Sequence, residues 1–275
     1  MSPRLPFALI ALLAAGASAI ADTYRRADGV MVDAKVLDAR GCAPLVIISH
    51  GLGGSLSGNA PLAAALNRAG FRVVVPSHAE SGPRLLMAGL SGGRGMRGLD
   101  AAASDPAAHR ARQADLDAIL AAELARCRVP FKVLAGHSMG ARSTLVEAGA
   151  ASSTGIRGKD RFDAYIAISP LGEGHGMFPE GSGAGLRKPV LMITGTRDQS
   201  AERSYESRLS AFEGLALGRK RLAVIEGATH RALGGRGEPQ VGAMVGVIAV
   251  EFLSQIRPGP WGPPGRRAGV TFAEK

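Results

Sequence analysis

Aromatic residues are scarce in this chain: Phe, Tyr and Trp supply 4% of 275 residues, with one Trp and three Tyr. Single-stranded nucleic acids are held on aromatic platforms set among basic side chains. The scarcity therefore argues against that class of partner, even though 33 Lys and Arg against 23 Asp and Glu leave a formal charge of +10. The arginines are also dispersed, at Arg68, Arg84, Arg94, Arg97, Arg110, Arg112 and beyond, rather than gathered on one segment. No nucleic-acid partner is expected. A surface this basic instead favours encounter with anionic surroundings, such as a membrane face or an acidic polymer. No internal repeat is visible.

Long apolar runs are lacking as well. A bilayer-spanning helix needs about 20 consecutive apolar residues, and the apolar stretch over residues 5–15 is shorter than that. It follows Arg4 and gives way to small residues, with Ala19-Ile20-Ala21 fitting a cleavage site. This is the layout of a secretory signal. Residues 1–21 are therefore expected to be removed, leaving a mature chain that starts near Ile20 or Asp22, exported to a periplasm or to the medium without a stable membrane anchor.

Cysteine occurs only twice, at Cys42 and Cys127, and export places the pair where disulfides persist. Each cysteine lies shortly before an apolar run, Leu45-Val46-Ile47-Ile48 in one case and Val133-Leu134-Ala135 in the other. Neighbouring parallel strands lie about 4.8 Å apart, so both thiols would stand at one sheet edge, within bridging range. A Cys42–Cys127 bridge is expected there, the alternative being two buried free thiols.

With 46% hydrophobic residues the chain can bury one large core, and a single domain over 22–257 is expected. A hairpin with Asp28-Gly29 in its turn opens that domain. Strands are then expected at Leu45–Ser49, 71–76, 131–135, 163–169, 189–194 and 221–226, and helices at 60–69, 105–126, 139–150, 202–212 and 241–256. Near-continuous apolar strands alternating with helices imply a parallel sheet covered on both faces, a doubly wound α/β architecture. Residues 82–99, with Gly89, Gly92, Gly93, Gly95 and Gly98 among arginines, read as an irregular insertion. The Pro- and Gly-rich tail 258–275 reads as unable to fold by itself.

The chemistry-bearing motif is Gly136-His137-Ser138-Met139-Gly140, which follows a strand candidate and precedes a helix candidate. A Gly-x-Ser-x-Gly turn between strand and helix exposes the serine hydroxyl on strained backbone. Ser138 is the candidate nucleophile. A serine needs an imidazole within hydrogen-bond reach, and the imidazole needs a carboxylate to fix its tautomer. Two downstream strands supply them: 189–194 runs on to Gly195-Thr196-Arg197-Asp198, and 221–226 to Gly227-Ala228-Thr229-His230. Asp198 is preferred as the acid over Glu226, which lies within its strand. Two N–H groups must hold the oxyanion. Met139 at the helix start and Leu52 in the glycine-rich loop His50-Gly51-Leu52-Gly53-Gly54 are the candidates. That loop lacks the G-x-G-x-x-G pattern and the Gly-Lys-Ser/Thr ending of phosphate-binding loops.

Ser-His-Gly-Leu-Gly-Gly at 49–54, Gly-His-Ser-Met-Gly at 136–140, Gly-Thr-Arg-Asp at 195–198 and Glu-Gly-Ala-Thr-His at 226–230 resemble α/β-hydrolases of the dienelactone-hydrolase-like group. The His-Ser-Met and Gly-Ala-Thr-His segments are also similar to secreted polyester hydrolases and cutinases. The resemblance covers about 40–257. It implies the α/β-hydrolase fold, a mostly parallel sheet with helices on both faces, and a Ser-His-Asp carboxylic ester hydrolase working through an acyl-enzyme on a small or polymeric ester, with no cofactor or metal. Between Ser169 and Lys188 there is too little chain for a large cap domain, so an open site is expected. An acyltransferase or peptidase with the same triad, or a non-catalytic binding protein on the same scaffold, are the alternatives.

Overall fold

The computed structural model describes residues 19–91, 95–199, 204–257 and 259–275. The expected signal falls almost wholly outside them, at 1–18, as do Glu202 and the middle of the Gly/Arg-rich segment. One nine-stranded sheet organises everything else, in the order β1-β2-β4-β3-β5-β6-β7-β8-β9. Its centre is parallel: β3 (Leu45–Ser49), β4 (Arg72–Pro76), β5 (Lys132–His137), β6 (Ala164–Ile168), β7 (Val190–Arg197) and β8 (Lys220–Thr229) all run one way. Every residue of β3, β4 and β6 is buried, as unbroken apolar runs require when both sheet faces are covered.

The hairpin of β1 (Ala19–Arg25) and β2 (Met31–Leu37) adds antiparallel strands at one edge, turning at Gly29 with φ 88°. In β2, Val32, Ala34 and Val36 are buried while Met31 and Asp33 are exposed. That period of two is the mark of a strand with one wet face.

Helices α1 (Ala60–Arg68) and α8 (Pro239–Ile256) cover one face through Leu62, Leu66, Val245, Ile248 and Phe252. The long α4 (Pro106–Arg126), α5 (Met139–Glu147) and α6 (Glu206–Glu213) cover the other through Leu116, Ile119, Leu145 and Phe212. The Asp105 side chain caps α4 by accepting from the N–H groups of Ala107 and Ala108. By length and hydropathy α8 could cross a membrane, but its apolar stripe is already spent against α1 and the sheet. Cys42 and Cys127 are bridged, with Cα atoms 5.6 Å apart, where β3 and β5 begin.

Two expectations need correction. Residues 83–103 are not irregular where they are described: α2 (Pro83–Ser91) and α3 (Gly95–Ala103) form a helical pair. A Cβ on buried Gly89 would lie 3.0 Å from the Gly98 carbonyl oxygen and 3.2 Å from Ala102 Cβ, so this glycine lets the two helices approach and does not break them. The tail also joins the domain. Val270–Glu274 forms β9, antiparallel to β8, and Trp261 packs edge-on against Phe252. Alone, the tail would lack a partner for its backbone, and the exposed edge of β8 supplies one.

Candidate active site

Ser138 stands between β5 and α5 with φ 55° and ψ −116°, a conformation that costs a non-glycine residue free energy of order 1–3 kcal/mol. Packing holds it there. The Ser138 N–H donates to the Ile168 carbonyl at 2.9 Å. The flanking glycines permit the turn: a Cβ on Gly140 would sit 1.9 Å from the Ser49 carbonyl oxygen, and one on Gly136 2.3 Å from the Gly140 carbonyl carbon. All nine residues of α5 are buried, so the helix cannot swing to relieve the strain.

Ser138 Oγ lies 3.0 Å from His230 Nε2, and His230 Nδ1 lies 2.8 Å from Asp198 Oδ1. His230 opens the short helix α7 (His230–Leu233), whose cap Thr229 accepts from the Ala232 N–H. Asp198 follows β7 just past a register shift between Gly195 and Arg197. At Gly195 a Cβ would come within 2.4 Å of the Ala228 carbonyl oxygen, so glycine lets the two strand ends close together and brings Asp198 beneath His230. Glu226 is exposed on its strand and takes no part.

Two residues that sequence reasoning missed complete the group. Ser169, at the end of β6 with φ 55°, donates from Oγ to Asp198 Oδ1 at 2.9 Å and lies 2.7 Å from His230 Nδ1. Arg208 on α6 donates from Nε to the Asp198 carbonyl at 2.9 Å and comes within 3.1 Å of Oδ1. Ser169 could have been suspected, because it too ends a strand at the same sheet edge. Arg208 carries no local signal. Thr194 Oγ1 donates to the other carboxylate oxygen at 2.8 Å. Burial of Asp198 raises its pKa, but the hydrogen bond from His230, the Arg208 charge and the Ser169 hydroxyl outweigh it and hold the carboxyl at about 2. Asp198 is thus a carboxylate at neutral pH, able to fix His230 with its proton on Nδ1 and its Nε2 lone pair toward Ser138.

His137 packs at a tilt on His230, with ring centroids 4.8 Å apart, and its Nε2 donates to the His230 carbonyl at 2.9 Å. Burial pushes its pKa down to about 3, so it is a neutral packing residue. Met139 is the first residue of α5, where helix N–H groups have no intrahelical acceptor, and Leu52 lines the space above Ser138. Among the described residues no group of three or more His, Cys, Asp or Glu is disposed to hold a metal ion.

The serine and imidazole open into a cavity of about 660 Å3, a size that suits a small organic ligand. Leu86 of α2 and Leu99 of α3 form part of its wall, so the helical pair walls one side of a site that the sequence suggested would be open. Arg97, Arg142, Arg208, Arg231 and Arg236 also line it, whereas among the described residues Asp100 is the one acidic side chain that does, bound to Arg142 at 2.6 Å.

No family model matches the chain, and no curated protein matches it by sequence. Solved structures match its fold. A homologue of α/β serine hydrolases from Coxiella burnetii aligns over 83% of this chain and 96% of its own, at 19% identity and a TM-score of 0.60. The esterase domain of a Rhodothermus marinus protein covers 87% of this chain and 98% of its own, at 16% identity and a TM-score of 0.57. The dienelactone hydrolase of Anabaena variabilis covers 86% and 97%, at 19% identity and a TM-score of 0.55. At such identities the likeness speaks for architecture: the chain has the α/β-hydrolase fold, a mostly parallel sheet with helices on both faces.

Proposed function

We propose that the chain is a serine ester hydrolase acting through an acyl-enzyme. The supporting observation is the run of hydrogen-bond distances from Ser138 Oγ through His230 to Asp198, 3.0 and 2.8 Å, at the floor of a ligand-sized cavity. His230 Nε2 takes the hydroxyl proton as Oγ bonds to the ester carbonyl carbon, and the N–H groups of Leu52 and Met139 hold the resulting oxyanion. Collapse breaks the bond to the alcohol, which leaves with the proton from His230. Water then attacks the acyl-serine with His230 again as base, releasing the acid and restoring Ser138.

Arg142 and Arg208 are paired with Asp100 and Asp198, and the exposed Arg231 and Arg236 add positive charge to the cavity wall. Esters whose acyl or alcohol part carries negative charge are its preferred substrates. Export is part of the same reading, supported by the signal-like residues 1–21 and by the Cys42–Cys127 bridge, which persists in oxidising compartments.

Turnover of a short p-nitrophenyl ester by the wild-type protein, abolished in Ser138→Ala, together with fluorophosphonate labelling mapped to Ser138, is the expected result. An inert wild type, or a Ser138→Ala variant as active as its parent, would refute the proposal.

A further inference from the structure

Beneath the loop that carries Leu52 lies a second serine, histidine and aspartate in series. Ser49 Oγ is 3.0 Å from His78 Nε2, and His78 Nδ1 is 2.7 Å from Asp115 Oδ2. None of the three is more than 1% exposed, so no substrate reaches them. Arg112, three residues before Asp115 on α4, is equally buried. Its Nη1 donates to Ser49 Oγ at 2.8 Å and to the His50 carbonyl at 2.7 Å, and its Nε to Ser81 Oγ at 2.9 Å. With the guanidinium on its lone pair, the Ser49 hydroxyl directs its proton to His78 Nε2, and His78 donates from Nδ1 to Asp115. Burial, and next the charge of Arg112, keep the pKa of His78 well below its ordinary value, which fits a neutral ring in that tautomer. Asp115 is held in turn by Arg26 at 3.1 Å. Ser49 is therefore a fixed structural hydroxyl and not a rival nucleophile.

What this cluster grips is the loop above it. On one side of Leu52, the His50 carbonyl rests on Arg112 Nη1. On the other side, the Gly53 N–H donates at 3.0 Å to the carbonyl of Ser81, whose hydroxyl rests on Arg112 Nε. One guanidinium thus holds the chain directly before the Leu52 N–H and, through Ser81, after it. From this geometry we infer that Arg112 is a positioning residue for the oxyanion site, aiming the Leu52 N–H without touching substrate. The inference rests on the role proposed above for Leu52. Its physical logic is that a donor helps the transition state only when it is held in place beforehand, and a planar fork with several donors fixes two points of a loop as a flexible ammonium cannot.

The test compares Arg112→Met, Arg112→Lys and Ser81→Ala with wild type. Three quantities are measured: kcat and KM on a short p-nitrophenyl ester, affinity for a trifluoromethyl ketone whose adduct with Ser138 places an oxyanion in the site, and hydrogen exchange of the 49–54 peptide. In Arg112→Met, kcat is expected to fall by about 30-fold or more, somewhat less than the roughly hundredfold to thousandfold loss that removal of an oxyanion donor itself brings. KM should stay within about threefold, ketone affinity should fall in step with kcat/KM, and the loop should exchange about tenfold faster. Arg112→Lys should recover only part of the loss, and Ser81→Ala should show a smaller loss of the same kind. Wild-type kcat and ketone affinity in Arg112→Met, or unchanged loop exchange, would overturn the inference. Should Arg112→Met fail to fold, Ser81→Ala decides: weakened ketone binding supports the role and unchanged binding removes it. A wild type without Ser138-dependent turnover would refute the hydrolase reading instead, and loop exchange would still show whether Arg112 holds the loop.

Discussion

Ser169 Oγ sits 2.7 Å from His230 Nδ1 while donating to Asp198 at 2.9 Å, so one hydroxyl braces the imidazole and the carboxylate together. A hydrogen bond to a charged group is worth about 1.5–3 kcal/mol. In Ser169→Ala, kcat/KM for an ester should therefore drop by about tenfold, mostly in kcat, because the imidazole loses orientation and not its substrate contacts. Ser138→Ala should lose about a thousandfold or more. Steady-state kinetics on the two variants check this, and a Ser169→Ala enzyme with wild-type kcat would show the brace to be idle.

Acid stability should carry the signature of Asp198. Its carboxyl titrates at about 2 in the fold, against about 3.9 for an unfolded aspartate. The folded state binds this proton less readily than the unfolded chain. Its contribution, about 2–3 kcal/mol, is thus fully present above pH about 4 and lost as the pH falls from about 4 to about 2. Urea unfolding followed across that window should show a shallower pH slope in Asp198→Asn than in wild type. Equal slopes would mean that the carboxylate is not held down in this way.

The Cys42–Cys127 bridge closes a loop with a sequence separation of 85. Chain-entropy arguments give such a cross-link about 4 kcal/mol, acting chiefly on the unfolded state. Reduction, or a double Cys→Ser substitution, should lower the urea midpoint without changing the proposed ester turnover of the folded protein, since the bridge lies where β3 and β5 begin and Ser138 follows the end of β5. Denaturation with and without reductant, each paired with an activity assay, separates the two effects.

Deleting residues 259–275 should destabilise the domain. Arg221, only 1% exposed, donates to Glu274 at 2.9 Å and to the Gly262 carbonyl at 2.7 Å, and its guanidinium stacks over Trp261 at 4.5 Å. Truncation removes all three partners and uncovers the edge of β8. Stripping a buried charge of its partner costs about 3–5 kcal/mol, and a bare strand edge invites aggregation. A lower melting temperature and aggregation on heating are the expected outcomes, and a truncated chain that melts with the full one would contradict them.

Much of this was legible in the sequence, and what escaped it escaped for physical reasons. The runs at Leu45–Ser49 and 189–194 are largely apolar on both faces, the pattern of a parallel strand covered on both sides. Strand ends then locate Ser138, Asp198 and His230 at one edge of the sheet. Residues 83–103 escaped because Gly89 reads as a helix breaker until the backbone it packs against is known. The tail escaped because β9 depends on the edge of β8 and not on its own composition. Arg112 and Arg208 are single arginines among many, and their partners are 62 and 10 residues away along the chain.

Selectivity for charged esters is the most direct probe of the cavity wall. Arg231, Arg236 and Arg97 line the cavity together with His230. A p-nitrophenyl ester of glutaric acid, which keeps one free carboxylate, should have a kcat/KM about tenfold above that of the neutral valerate ester at low ionic strength, because the positive field raises the local concentration of the anion. Screening shortens the reach of that field to about 8 Å at physiological salt, so the preference should shrink as salt is added. Replacing Arg231 and Arg236 by Gln together should erase most of it, through KM for the anionic ester, with the neutral ester as internal reference. A ratio that ignores both salt and the double substitution would mean that the wall arginines serve solubility or packing and leave substrate choice to the shape of the cavity.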